Sequence, residues 1–238
     1  DESEKNKLIF DYPESKSLIK KFSGSQEFIR GEDRYCLWIT EENKQLAFSI
    51  PEIKSRINAC EKARKKSKRE ATKKLAKSPY RFGEVRHINS ESIIIPSVSS
   101  ERRDYIPMGF LNDDTIISNL AFSIYNAYPW LFGMLTSKMH VLWVKSVGGY
   151  LGTSIRYSAK VCYNTFPFPD ISIKQKENLN LYVFAILDER AKHPEKTMAQ
   201  LYNPGTMPKG LKTAHEELDK AIEQCYRLQP FASDTERL

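Results

Sequence analysis

Long apolar runs are missing from this sequence. Stretches such as Ile93 to Pro96 and Val141 to Val144 fall far short of the roughly 20 residues a membrane-spanning helix needs, so no membrane partner is expected. Cysteine is equally sparse. Cys36, Cys60, Cys162 and Cys225 are scattered with no close pair, which argues against a disulfide framework and for reduced thiols in a cytoplasmic protein. The four histidines, His87, His140, His193 and His215, stand far from one another and from any cysteine pair. No metal site is expected from such spacing. A charged-then-apolar leader is absent, and the chain opens on Asp1-Glu-Ser-Glu without an initiator Met, so it reads as a piece of something longer.

Catalytic signatures are missing too. There is no Gly-x-Ser-x-Gly elbow, and Gly148-Gly149-x-x-Gly152 follows a helical pattern and precedes none, the reverse of the order a dinucleotide loop requires. Glu14-x-Lys16 and Pro169-Asp170 do not converge as nuclease fragments. Asn203-Pro204-Gly205-Thr206 lacks the second proline and the aromatic ring with which amino-methyltransferases hold a target adenine, and reads as a turn. No catalytic residue and no cofactor are expected within this stretch.

What is present is charge, unevenly placed. The 238 residues carry 37 Lys+Arg against 30 Asp+Glu, a net +7. Twelve basic residues lie between Lys54 and Arg81 against Glu61 and Glu70, a local balance of +10 that leaves −3 elsewhere. Such a block attracts polyanions because neutralised phosphates release counterions, although Glu61 to Lys65 and Glu70 to Lys74 are also the i,i+4 pairs of an ordinary solvated helix. With 40% apolar and 11% aromatic residues, the chain can bury about 70% of its unfolded surface in one or two domains.

The pattern along the chain predicts an α+β fold: a mixed or antiparallel sheet with packed helices, followed by a small all-α C-terminal domain. A short amphipathic helix is expected at 14–22 and a strand at 35–40. Ser49-Ile-Pro-Glu52 has capping-box spacing and predicts one long basic helix over 51–77. Its middle, Arg64, Lys65, Lys68 and Arg69, has nothing to bury and is assigned to water or phosphate. Strands are predicted at 80–87, 92–98, 105–110 and 120–125, then a helix over 129–147 ended by Gly148-Gly149. After Phe166-Pro-Phe-Pro169 the texture turns helical and nearly neutral, with ten basic and eleven acidic residues. This places a boundary between domains 1–168 and 169–238, the second with helices at about 173–192, capped by Ser172 and Gln175, and at about 208–227.

Two loops combine small residues with cations suited to nucleic acid. One holds Ser97, Ser99, Ser100, Arg102 and Arg103. The other runs from Gly148 to Ser158 and holds Gly152, Ser154 and Arg156, whose guanidinium can fork onto guanine. Either alone also reads as a surface loop with ordinary ion pairs.

Longer motifs add a resemblance. Phe22-Ser-Gly-Ser-Gln-Glu-Phe-Ile-Arg-Gly31, Ser78-Pro-Tyr-Arg-Phe-Gly-Glu-Val-Arg86 and Ile95-Pro-Ser-Val-Ser-Ser-Glu-Arg-Arg-Asp-Tyr-Ile-Pro-Met-Gly-Phe110 resemble the target recognition domain of the MmeI-like (Type IIG/IIL) restriction-modification enzymes. So do Gly133-Met-Leu-Thr-Ser-Lys-Met-His140, Arg156-Tyr-Ser158 and Tyr163-Asn-Thr-Phe-Pro-Phe-Pro169. Leu201-Tyr-Asn-Pro-Gly-Thr-Met-Pro208 resembles the opening of their helical C-terminal domain. The resemblance implies a bacterial-defence parent with an adenine N6-methyltransferase domain upstream using S-adenosylmethionine. It also implies a nuclease, in some members absent or inactive, that would need Mg²⁺. It further implies that the partner is double-stranded DNA and that bases are read at Ser97, Asn119, Leu120, Gly152, Ser154 and Arg156. Arg102, Arg103, Lys138, Lys145 and Lys160 are assigned to phosphates or structural pairs, with Ser99 and Ser100 beside them. Ser97 and Tyr150 depart from the basic residues common at those places, so no relative's target can be borrowed. The competing readings are an RNA-binding module, which would favour A-form helices, and a basic scaffold for acidic proteins, which would show no specific nucleic-acid affinity.

Overall fold

The structure, a computed structural model, describes residues 1–238. In chain order the helices are α1 (Glu2–Asp11), α2 (Ser25–Arg30), α3 (Lys44–Ser49), α4 (Pro51–Lys65), α5 (Glu70–Lys74), α6 (Pro129–Thr136), α7 (Lys138–Val147), α8 (Ile173–Ala191), α9 (Met198–Leu201), α10 (Lys209–Tyr226) and α11 (Asp234–Arg237). The strands are β1 (Ile19–Ser23), β2 (Tyr35–Leu37), β3 (Ser92–Pro96), β4 (Val98–Ser100), β5 (Gly109–Leu111), β6 (Thr115–Ile117), β7 (Ala121–Tyr125), β8 (Gly149–Leu151) and β9 (Ser154–Arg156). The class is α+β, and no helix is long and apolar enough to cross a membrane.

The chain divides into two compact units. The first comprises 1–22, 33–89 and 114–116. Its core is Leu8, Leu18, Ile39, Ala47, Ile50, Ile53, Ile57 and Tyr80, with Ile53 and Ile57 one turn apart on α4. Here the local pattern is overruled in several places. Residues 14–22 are not one helix: a 3₁₀ turn over Pro13–Leu18 buries Leu18, and the chain then extends as β1, pairing Ile19 with Leu37 and Lys21 with Tyr35. A ladder partner supplied by the fold outweighs the weak helical preference of so short a segment. The Ser49 capping box does not form either. Ser49 closes α3 by donating to the Leu46 carbonyl at 2.8 Å, and α4 starts with Pro51 in its first turn.

The long helix over 51–77 is broken after Lys65. Arg64 turns its guanidinium onto the carbonyls of Leu75 (3.0 Å), Ser78 (3.0 Å) and Arg81 (2.7 Å), folding α5 and a 3₁₀ turn at Leu75–Lys77 back against it. A straight helix offered 64–69 nothing to pack on, whereas the bend gives the guanidinium three charge-assisted hydrogen bonds. The strand expected at 80–87 is irregular chain. Its side chains still dock, with Phe82 centred 5.8 Å from Phe22 and 5.5 Å from Trp38.

The second unit comprises 23–32, 90–113 and 117–238. The Ile93-Ile94-Ile95 run forms β3, buried along its length between antiparallel β5 and β7, with Ile93 opposite both Phe110 and Ile124. Such a run suits a strand covered on both faces. Residues 105–108 precede β5 as buried irregular chain rather than strand. The helix expected over 129–147 is two helices. Ser137 donates to the Met134 carbonyl (2.8 Å) and accepts from the His140 amide (3.3 Å), ending α6 and capping α7; a serine hydroxyl competes for backbone in this way. Gly133 lets α6 sit against α8 and α10, since a Cβ there would lie 2.9 Å from Val183 and 3.3 Å from Leu218. Ser172 and Gln175 cap α8 reciprocally, as their spacing predicts. The expected boundary at 168/169 falls inside this unit, just before α8. One continuous core there runs from Ile93 and Ile155 through Phe132 to Leu179, Leu211, Leu218 and Ile222.

Candidate nucleic-acid interface

Strands β4, β9 and β8 form a small antiparallel sheet in the second unit. Its register pairs Val98 with Arg156, Ser99 with Ile155 and Ser100 with Ser154, and on the other side Gly149 with Arg156, Tyr150 with Ile155 and Leu151 with Ser154. Directly paired residues project from the same face. One face therefore carries Ser99, Ile155 and Tyr150, and the other carries Val98, Ser100, Leu151, Ser154 and Arg156. Ile155 is buried in the core and fixes which face is inward, while Arg156 and Leu151 are exposed. The next residue, Tyr157, is buried and shares a 3.0 Å hydrogen bond with His140. Burial pushes the His140 imidazole down to about 3, so it is neutral there.

The hairpin turns at Gly152-Thr153. Gly152 has φ +60° and Thr153 is not among the positive-φ residues, the signature of a type II′ turn with glycine first. This explains the small residues of the 148–158 loop: they make a tight hairpin, which the sequence reading missed although Gly-x between short alternating segments is its mark.

The Ser97 segment and the Asn119-Leu120 turn meet beside this sheet. Ser97 lies between β3 and β4, next to Val98, and its carbonyl accepts the Tyr157 amide at 2.9 Å. Its hydroxyl donates to the Leu120 carbonyl at 2.6 Å. Ser25, at the start of α2, joins them: its hydroxyl donates to the same carbonyl and accepts the Ser97 amide at 2.8 Å. The sequence reading passed over Ser25, whose only signal was its place in the Phe22–Gly31 motif. Asn119 and Leu120 are exposed. All six positions expected to read bases thus fall on one contiguous region of the second unit.

The expected phosphate contacts separate into two groups. Arg102 and Lys160 are exposed near this region, and Lys65, Lys68 and Arg69 are exposed in the first unit, with Lys65 paired to Glu61. The others have structural work. Arg64 is held by three carbonyls. Ser99 is buried and takes the Arg103 guanidinium at 3.3 Å, and burial lowers the pKa of Arg103. The Ser100 hydroxyl accepts the Arg102 amide (3.3 Å), Lys145 donates to the Arg103 carbonyl (3.3 Å), and Lys138 pairs with Asp234 (2.9 Å).

Comparison with known proteins agrees with the motifs. Residues 1–170 match the family described as MmeI, target recognition domain, and residues 171–238 match MmeI, C-terminal domain. The chain is 48% identical over 230 residues to DNA methyltransferase A of Bacillus subtilis (strain 168), covering 97% of this chain and 26% of that protein. It superposes with a TM-score of 0.94 and 36% identity on the Type IIL restriction-modification enzyme MmeI, solved in complex with DNA, covering 99% of this chain and 31% of that one. The chain therefore spans about a quarter to a third of the length of these relatives.

Proposed function

The chain belongs to the MmeI family, residues 1–170 to its target recognition domain and 171–238 to its C-terminal domain, and from that premise we propose that it is the sequence-specific DNA-recognition module of a longer restriction-modification polypeptide. The observation that carries the reading is the meeting of Ser97, Asn119, Leu120, Gly152, Ser154 and Arg156 on one exposed region built over a buried anchor, Ile155. Each has chemistry for a base edge. Arg156 can donate a fork to guanine O6 and N7, Asn119 can make the two-bond contact to adenine, and exposed Leu120 can meet a thymine methyl. Gly152 and Ser154 leave room for a base edge to approach.

Arg102 and Lys160 hold phosphates near that region, and Lys65, Lys68 and Arg69 add cations from the first unit. Such contacts set register and supply salt-dependent affinity without reading sequence. Residues 1–168 carry recognition and 169–238 form the C-terminal helical domain. The parent's methyltransferase domain, upstream on the same polypeptide, transfers a methyl group from S-adenosylmethionine to an adenine that must leave the helix to be reached. Any nuclease in the parent would use Mg²⁺. The setting is the bacterial cytoplasm.

The test is to express the complete polypeptide in a host without DNA methylases and map modified bases across the genome. One asymmetric motif carrying N6-methyladenine is the expected result. Unmodified DNA, from soluble protein with intact methyltransferase motifs, would overturn the reading. An RNA module would instead prefer RNA duplex over DNA of the same sequence as salt rises, and an interaction scaffold would bind neither above the non-specific level.

A further inference from the structure

We infer that Ser25 is a positioning residue for sequence recognition, locking the Ser97 segment and the Asn119-Leu120 turn into one reading element. The inference rests on the function proposed above and assigns a role to a residue outside the six base-reading positions.

Two serine hydroxyls and one carbonyl form the centre of the cluster. A carbonyl oxygen has two lone pairs, and the Leu120 carbonyl uses them for the hydroxyls of Ser25 and Ser97. The Ser25 oxygen in turn accepts the Ser97 amide. The two serine oxygens also lie 3.2 Å apart, where either hydroxyl can donate to the other.

The start of α2 is tied to the same turn a second time. The Ser118 amide donates to the Ser23 carbonyl at 2.8 Å, and the intervening Gly24 passes so near that a Cβ would lie 2.5 Å from the Ser118 hydroxyl. Three segments, at 23–25, 97 and 118–120, are thereby stitched by polar bonds. Little apolar surface is involved: Ser25 and Ser97 are half-buried, and Asn119 and Leu120 are exposed. Loss of the Ser25 hydroxyl leaves the turn held by the Ser97 hydroxyl and the Ser118 amide alone, so it should loosen without unfolding the unit. Asn119 would then no longer be held at the fixed distance and angle a two-bond base contact requires.

The experiment uses the full-length polypeptide in the methylase-free host, comparing wild type with Ser25→Ala, Ser25→Thr, Ser97→Ala and Arg156→Ala. Arg156→Ala marks the motif position that depends on the hairpin. Ser25→Ala is expected to weaken base preference tenfold or more at a motif position other than the one marked by Arg156→Ala, with thermal unfolding nearly unchanged. Ser97→Ala should relax that same position, and Ser25→Thr, which keeps the hydroxyl, should restore it. An unchanged motif in Ser25→Ala, or equal weakening at every position, overturns the inference. Should Ser25→Ala fail to fold, Ser97→Ala decides: full discrimination there also overturns it. A wild type that marks no motif at all defeats the proposed function and the inference with it.

Discussion

The segment from Lys54 to Arg81 and the hairpin from Gly149 to Arg156 are opposites in composition, one dense in charge and one in small residues. In the structure the charged segment spends its central arginine on its own backbone and leaves the rest in solvent. The hairpin, with a single cation, presents that cation at a fixed register over a buried isoleucine. Charge density marks where a chain meets water, while recognition needs a side chain whose position is set by something beneath it.

The contrast is broken most sharply by removing what lies beneath. Ile155→Ala, at a site only 2% exposed, should cost about 2–5 kcal/mol in denaturant unfolding and abolish discrimination. Substituting exposed Lys68 or Arg69 by Gln should change stability by less than about 0.5 kcal/mol, and lower the slope of log affinity against log salt by about one for each phosphate no longer neutralised. An equal drop in stability in both regions would remove the distinction.

Arg64→Gln comes next. Losing three hydrogen bonds from a charged donor should destabilise by roughly 2–3 kcal/mol. Arg64→Lys should not restore the loss, because an ammonium cannot reproduce the planar fork. If Arg64→Gln instead unfolds like wild type and loses DNA affinity, the arginine belongs with the phosphate-binding cations after all.

Gly152 sharpens the comparison from the hairpin side. Any side chain at its positive φ is strained by about 1–2 kcal/mol, so Gly152→Glu should lower the unfolding midpoint and blur recognition. Ser154→Arg, on an ordinary strand position facing outward, should shift the preferred base without that loss. Methylation mapping of the two single variants separates strain from changed chemistry.

A separate effect is one of pH. Burial raises the Asp219 carboxyl from 3.8 to about 6, against the Lys138 amide and Tyr105 hydroxyl that donate to it, each at 2.7 Å. Its folded pKa lies above its unfolded one, so its contribution is fully present below about 4 and is lost as pH rises through 6. Wild type should therefore lose ground to Asp219→Asn between pH 4 and 7 in thermal melts. A constant difference across that range would refute the assignment.

The elements legible in the sequence are those whose signal is local. The triple isoleucine falls in β3, the strand expected at 120–125 is β7, and Ser172 with Gln175 and Pro208 marked the starts of the long C-terminal helices. Hidden elements depend on distant partners. Three-residue β4 exists because Val98 meets Arg156, and no local window contains both. Arg64 looked solvated because its acceptors are carbonyls 11 to 17 residues onward, which carry no side-chain signature. Ser25 was invisible for the same reason: its partners lie 72 and 95 residues away. The positions proposed to read bases came from family resemblance, while strand register and the Ser97–Leu120 hydrogen bond bring them to one region.

The continuous core from Ile155 to Leu218 bears on how such a protein diversifies. Exchanging whole segments at the junction near residue 168 would force two histories of Phe132, Leu179 and Leu218 to interlock anew. Point changes at Ser154 and Arg156 disturb none of that packing, so on the proposed function new specificities can drift across the surface while the interior stays fixed.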